Sequence, residues 1–241
     1  MKRIAPVLAL VSLSILFILI VREMNMPEST FRPDYVTHLL EESGALNSVT
    51  AIYLNYRVYD TLFEITVFFI AAFGVSLFLG NLPITHEEVE ENDANLFLIQ
   101  EGLSFRLRTA SNIIFLLAQL FGIYVMITGH LGPGGGFVGG VISGTGILVL
   151  VGSKKLEEVR DDFQKLHIHT AERFIIFAIP FIGILGYLTT GTVYGRFLPL
   201  GEAGTIFSGA VIPIMNVLIG FKVLAGTWSI LYHFVQHRGS I

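Results

Sequence analysis

Long apolar runs separated by short polar breaks dominate this chain, and six of them are long enough to read as helices in a bilayer. They cover about Ile4–Val21, Thr61–Gly80, Thr109–Gly129, Phe137–Gly152, Phe174–Thr190 and Phe207–Phe234. A hydrocarbon core about 30 Å thick takes about 20 helical residues. The fourth and fifth runs are short for that, so they extend into their polar flanks or are shielded by neighbouring subunits. The pattern predicts an all-α integral membrane fold of about six transmembrane helices. Lys2 and Arg3 before an apolar run also fit a secretory signal, yet Arg22-Glu23-Met24-Asn25 follows where a small-residue cleavage site would be needed. A retained first helix is expected.

One break differs from the others. Between the third and fourth runs lies His130-Leu-Gly-Pro-Gly-Gly-Gly-Phe-Val-Gly-Gly140, a helix-breaking turn that exposes backbone. Irregular backbone at membrane depth is tolerated only where protein or a water-filled cavity covers it. A glycine-rich hairpin covered by other protein is therefore expected. Gly132, Gly136, Gly140 and Gly144 recur at every fourth residue, beside a parallel row of Gly135, Gly139 and Ser143. That spacing lets helix backbones approach closely in lipid. An ion-lining role for the His130–Pro133 turn is the alternative.

Two connections are long. Residues 22–60 include Tyr35–Leu46, which reads as a short amphipathic helix ending at Gly44. Residues 85–105 carry His86-Glu-Glu-Val-Glu-Glu-Asn-Asp93, an acidic run expected to be a solvated linker. The linker divides a two-helix part, 1–84, from a four-helix part, 106–241. With the termini on the cytoplasmic side, that side holds ten Lys and Arg from Lys2 to Arg238. The other side holds Arg22, Arg32, Arg57 and Arg196, so N-in and C-in is expected.

Composition strengthens the membrane assignment. The chain has 241 residues, 53% hydrophobic and 14% charged, with mean hydropathy +0.69; soluble domains are about 25% charged. The net charge of −4, without a basic stripe, argues against nucleic acid. There is no cysteine, which excludes disulfides, thiolate-held clusters and a cysteine nucleophile. Redox chemistry connected with the chain would belong to partner subunits. No hydrolase or zinc-helix pattern stands out, and His167-x-His169 reads as solvated surface. A non-catalytic chain with no cofactor and no resident metal is expected.

A few ionisable residues are costly to keep. Lys222 lies near the middle of the sixth run, where insertion costs about 2.5–3.5 kcal/mol. It is either part of a proton or cation route, or a lysine that snorkels or forms a structural ion pair between subunits. Asn216, two turns earlier, could share a polar seam with it. Arg57, Asp60, Thr61 and Glu64 are spaced along one helical face, with Glu64 inside the second apolar run. Burial raises a carboxyl pKa and a nearby Arg lowers it. Such a carboxylate could carry a proton or ligate sodium. It could equally be structural, with Arg57 and Asp60 capping the helix.

Two motif sets carry a family resemblance. Gly129-His130-x-x-Pro133-Gly-Gly-Gly-Phe-x-Gly-Gly140, four spans and Leu198-Pro-Leu-Gly-Glu202 resemble the B subunit of Mrp-type multisubunit sodium/proton antiporters. Asn47-x-Val-Thr-x-Ile52, Arg57-x-x-Asp60-Thr-Leu-Phe-Glu-Ile-Thr-Val67 and Ala71-Ala-Phe-Gly74 are similar to the C-terminal piece of the A subunit. Such a fusion is also expected in the Mrp-like modules of archaeal membrane-bound hydrogenases and sulfane-sulfur reductases. The resemblance implies a multi-pass subunit of a hetero-oligomer in a prokaryotic plasma membrane, with sodium as the transported ligand. The resemblance keeps Asp60, Glu64 and His130 in place as ion-pathway residues; Lys222 and Asn216 join that set on the cost of a lysine within a span and the polar seam beside it. The partners implied are other Mrp-type subunits, the lipid bilayer and, in a respiratory complex, redox subunits. The chain departs from the antiporter pattern at Asn55 and Asn216, where an Asp is usual; both changes remove negative charge. A structural or coupling subunit, with ion paths mainly elsewhere, is the competing expectation.

Overall fold

The structure of the chain, a computed structural model, describes residues 4–24, 38–80, 94–154, 156–165 and 168–237. Among these residues all regular structure is helical. The order is α1 (Ile4–Met24), α2 (Leu39–Ser43), α3 (Ser48–Ala51), a π-helical turn (Ile52–Tyr56), α4 (Val58–Leu79), α5 (Ala94–Thr128), α6 (Gly136–Val151), α7 (Leu156–Lys165), α8 (Ile168–Thr190) and α9 (Ile212–Gln236). Val58–Leu79, Phe105–Thr128 and Ile212–Gln236 are each long and apolar enough to cross a membrane. Gly136–Val151 and Phe174–Thr190 are apolar but shorter. The chain is a membrane protein.

α9 is the axis of the bundle. Half of its most apolar window is buried within the chain, against 11% for α4. It packs on α4, α5, α6 and α8, while α5 pairs with α6 and α1 lies on α8. Helices in lipid gain little hydrophobic drive from meeting each other, so close backbone approach and van der Waals contact must hold them. α6 achieves this on two faces. A side chain at Gly140 would stand 2.6 Å from the Gly220 carbonyl of α9, and one at Gly144 would stand 2.5 Å from Thr227 Cγ2. On the other face, a side chain at Gly139 would stand 2.6 Å from the Gly122 carbonyl of α5.

The two ends of the bundle are built differently. At one end, the segment Leu46–Tyr53, with α3 and the start of the π-helical turn, bonds to the α5–α6 turn and to Asn216 of α9. At the other, α7 buries Val159 against Ile147, Leu150 and Trp228, and Glu158 pairs with Arg108 of α5. Ser76 Oγ meets His233 Nε2 at 3.2 Å, tying the end of α4 to α9.

Several boundaries differ from expectation. The last helix begins at Ile212, not Phe207: Gly209 and Ala210 have φ of 86° and 51°, which a helix cannot contain. Pro213 then sits in the first turn, where its missing N–H costs nothing. Residues 94–105, assigned by sequence to the acidic linker, are the first turns of α5. Ala, Leu, Gln and Glu favour helix there; the acidic run itself lies outside the described residues. Of Tyr35–Leu46, only Leu39–Ser43 is helical among the described residues. It closes on Gly44 at φ 68°, whose N–H bonds Leu40 O at 3.0 Å.

Candidate functional site

The turn between α5 and α6 is held from outside by the segment Leu46–Tyr53. The last carbonyls of a helix have no partner within it. Here Asn47 supplies one: its Nδ2 donates to Gly129 O at 2.8 Å and Gly132 O at 2.6 Å. Thr50 Oγ1 adds a second donor to Gly129 O at 2.7 Å. The His130 carbonyl accepts from the backbone N–H groups of Leu46 and Asn47 at 3.0 and 3.1 Å. Asn47 is fixed in turn because its Oδ1 caps α3, accepting from Val49 N at 3.1 Å. One asparagine thus ends α5 and starts α3.

Tyr53 carries this clasp to α9. The π-helical turn Ile52–Tyr56 closes with Arg57 N on Ile52 O at 2.7 Å, and Thr61 Oγ1 bonds the Tyr53 carbonyl at 2.5 Å. The Tyr53 hydroxyl lies 3.2 Å from Thr50 Oγ1 and donates to Asn216 Oδ1 at 3.1 Å. Asn216 Oδ1 also accepts from Gly136 N at 2.9 Å, which fixes the amide orientation because a backbone N–H can only donate. A side chain at Gly135, φ 147°, would overlap the Tyr53 hydroxyl, and one at Gly136 would overlap the Asn216 carbonyl. Both glycines are required by close approach. Burial raises the Tyr53 pKa above its usual value, the Glu64 charge adds to the shift, and the Thr50 bond opposes it.

His130 is fully buried, at 0% exposure. Its Nε2 meets Thr205 O at 3.3 Å, and its Nδ1 has no hydrogen-bond partner among the described residues. Burial lowers its pKa, with backbone hydrogen bonds only partly opposing. The ring is therefore held neutral and enclosed.

The remaining sequence-selected residues fall in separate places. Lys222 is 4% exposed, with Nζ 4.6 Å from the Phe69 ring centroid, on the α4 side of α9. Asn216 faces α6 and Tyr53 instead. Six residues at 100° each put the two on different faces, so they share no seam. Asp60 pairs with Arg57 at 2.5 Å, both side chains more than half exposed. Thr61 turns inward while Asp60 and Glu64 face outward, so the four residues do not form a single face. Arg57 lies outside the α-helix, at the junction with the π-helical turn. Gly132 has open space at its Cβ position, whereas Gly136, Gly140 and Gly144 are packed against α9. His169 is backbone of α8, and His167 lies outside the described residues.

Asn47, Thr50 and Tyr53 were not selected as site residues by sequence. The signal was present as Asn47 directly before a short helix-competent run, an N-cap pattern. α7 was missed as well, though Leu156 and Val159 are spaced i, i+3 in a charged stretch.

Residues 106–229 match a family model described as a domain related to the MnhB subunit of Na+/H+ antiporter. A Staphylococcus aureus protein named as antiporter subunit mnhB2 is 32% identical over 133 residues, 47% of this chain and 93% of that protein. An uncharacterised protein of Methanocaldococcus jannaschii is 28% identical over 206 residues, 80% of this chain and 76% of that one. Among solved structures, a chain of the membrane-bound sulfane sulfur reductase, an archaeal respiratory membrane complex, is similar at TM-score 0.63 and 27% identity. That match covers 95% of this chain and 97% of the other. A chain of the Mrp complex from Dietzia sp. DQ12-45-1b shares the fold at TM-score 0.63 and 23% identity. It covers 88% of this chain and 23% of the other.

Proposed function

The chain belongs to the family of domains related to the MnhB subunit of Na+/H+ antiporters, and from that membership we propose that it helps form the cation pathway of an Mrp-type sodium/proton-translocating complex. One observation carries the proposal: the glycine turn is bonded through Tyr53 to Asn216 of the central helix, and Glu64 stands on the outward face of the spanning helix α4 that follows Tyr53. A carboxylate kept on the outward face of a membrane helix is costly unless protein or water meets it. Hard cations take oxygen donors, and transporters commonly meet them where carboxylates and non-helical carbonyls come together. Glu64 is the cation and proton acceptor in this scheme, and Asp60 draws cations to the membrane surface. Asn216 and His130 hold the turn, and Lys222 supplies a positive charge that exchanges partners. Sodium is cargo, and no resident cofactor is assigned. The orientation is N-in and C-in, in a prokaryotic plasma membrane, with residues 1–84 as the A-like part and 106–241 as the B-like part.

A second reading has its own support. The end-to-end similarity to a sulfane sulfur reductase chain favours a coupling subunit of a respiratory complex, with redox chemistry in its partners. Glu64→Gln separates the two. In vesicles bearing the assembled complex, a sodium pulse drives proton movement in the wild type. The variant abolishes it if this chain lines the path and leaves it unchanged if the path runs elsewhere.

A further inference from the structure

α4 meets the central helix through one side: Phe68 lies on Gly226 of α9. Glu64, Val67, Ala71, Gly74 and Phe78 are exposed among the described residues. These five recur at intervals of three, four, three and four residues, the 3.5-residue period along which one helix packs on another. The middle of this stripe is a notch, because a side chain at Gly74 would meet nothing within 4 Å. Small residues on a membrane helix let a second backbone come close.

One end of the stripe is charged. Glu64 stands six residues into α4, about 9 Å from its start at 1.5 Å per residue. It has no ion pair or hydrogen bond among the described residues. α4 itself holds no Lys, Arg or His, and Arg57 just before it pairs with Asp60 at 2.5 Å. An ionisable side chain at membrane depth faces protein or water, not acyl chains. A second copy of α4 laid on this stripe would set Glu64 against Glu64. The stripe asks for an apolar helix that carries a cation near one end.

We propose that a spanning helix of a neighbouring subunit packs along Glu64, Val67, Ala71, Gly74 and Phe78, and brings a Lys, Arg or His to Glu64. The proposal rests on the chain being one subunit of an ion-translocating assembly, and it names the group that meets Glu64 there between cations. Sodium and that basic side chain then compete for one carboxylate. The notch at Gly74 sets how closely the helix approaches, and Glu64 sets its depth.

The test uses the whole complex in native membranes, with the photoreactive residue p-benzoylphenylalanine replacing Val67, which is 66% exposed and one turn from Glu64. The expected result is a covalent adduct to a spanning segment of a different subunit that carries Lys, Arg or His. Gly74→Leu fills the notch without touching this chain's own packing, and it lowers adduct yield about tenfold by overpacking the seam. Glu64→Lys lowers the yield as far, because a like-charge contact replaces a pair, and changing the partner's basic residue to Glu restores it. An adduct confined to lipid or to a second copy of this chain, no adduct, or a yield indifferent to either variant overturns the proposal. Sodium-driven exchange is read on the same membranes. Normal exchange in Glu64→Gln, with the subunit adduct formed in its Glu64 parent, ends the pathway role of this chain alone. Loss of exchange in Glu64→Gln, with only a lipid adduct at position 67, ends the docking proposal alone.

Discussion

The hydroxyl of Tyr53 donates to Asn216 Oδ1 across 163 positions of sequence, at 3.1 Å. This bond joins the segment before α4 to the central helix, and Gly136 N shares the same acceptor. Tyr53→Phe removes the hydroxyl and leaves the ring in place. Asn216 keeps its bond to Gly136 and Thr50 its bond to the Gly129 carbonyl, so the loss is that of two neutral hydrogen bonds whose other partners stay bonded, about 1–2 kcal/mol. The expected outcome is a modest fall in the thermal midpoint of the solubilised complex, with assembly retained.

Glycines of the same motif differ sharply in what surrounds them. A side chain at Gly136 meets the Asn216 backbone, whereas at Gly132 it meets open space. Gly136→Ala is expected to cost about 1–3 kcal/mol by overpacking and to reduce recovery of folded protein. Gly132→Ala is expected to be nearly neutral. Size-exclusion profiles of the two variants, compared side by side, check this directly.

His130 gives a pH dependence with a definite sign. Burial lowers its pKa from the ordinary 6.5, so the unfolded chain binds the proton more readily than the folded one. Stability from this group is fully present above pH 6.5 and is lost as pH falls through its lowered folded value. The thermal midpoint should drop on acidification below 6.5, and His130→Gln should flatten that slope. An unchanged slope in the variant would assign the acid sensitivity to other groups.

The Arg57–Asp60 pair is short but exposed. Exposed pairs contribute about 0–1 kcal/mol. Asp60→Asn should therefore leave the thermal midpoint within a degree or two, so any loss of transport in that variant is not a loss of fold. Parallel measurement of melting and sodium-driven exchange separates the two effects.

Much of the helical layout was legible in the sequence because an apolar run in lipid has few alternatives: its backbone groups must bond to each other. The interruption at 129–135 was legible for the same reason, since Pro133 and consecutive glycines cannot continue a helix. What holds the turn was not. The Asn47 clasp spans more than eighty positions, and hydrogen bonds of that separation leave no periodic trace. Asn216 and Lys222 looked like neighbours by position. Six residues of helix turn them to different elements, one toward Tyr53 and the other toward Phe69. The outward placement of Glu64 also depends on which face α4 gives to α9, which no local pattern fixes.

The central claim is that the Glu64 carboxylate meets the transported cation, and protection from a hydrophobic carbodiimide tests it most directly. Membranes bearing the intact complex are labelled at neutral pH with sodium, potassium or choline, and modification of Glu64 is read by peptide mass. The account predicts labelling that slows with rising sodium and is indifferent to choline. Labelling of Glu64 at the same rate in all three salts would contradict it.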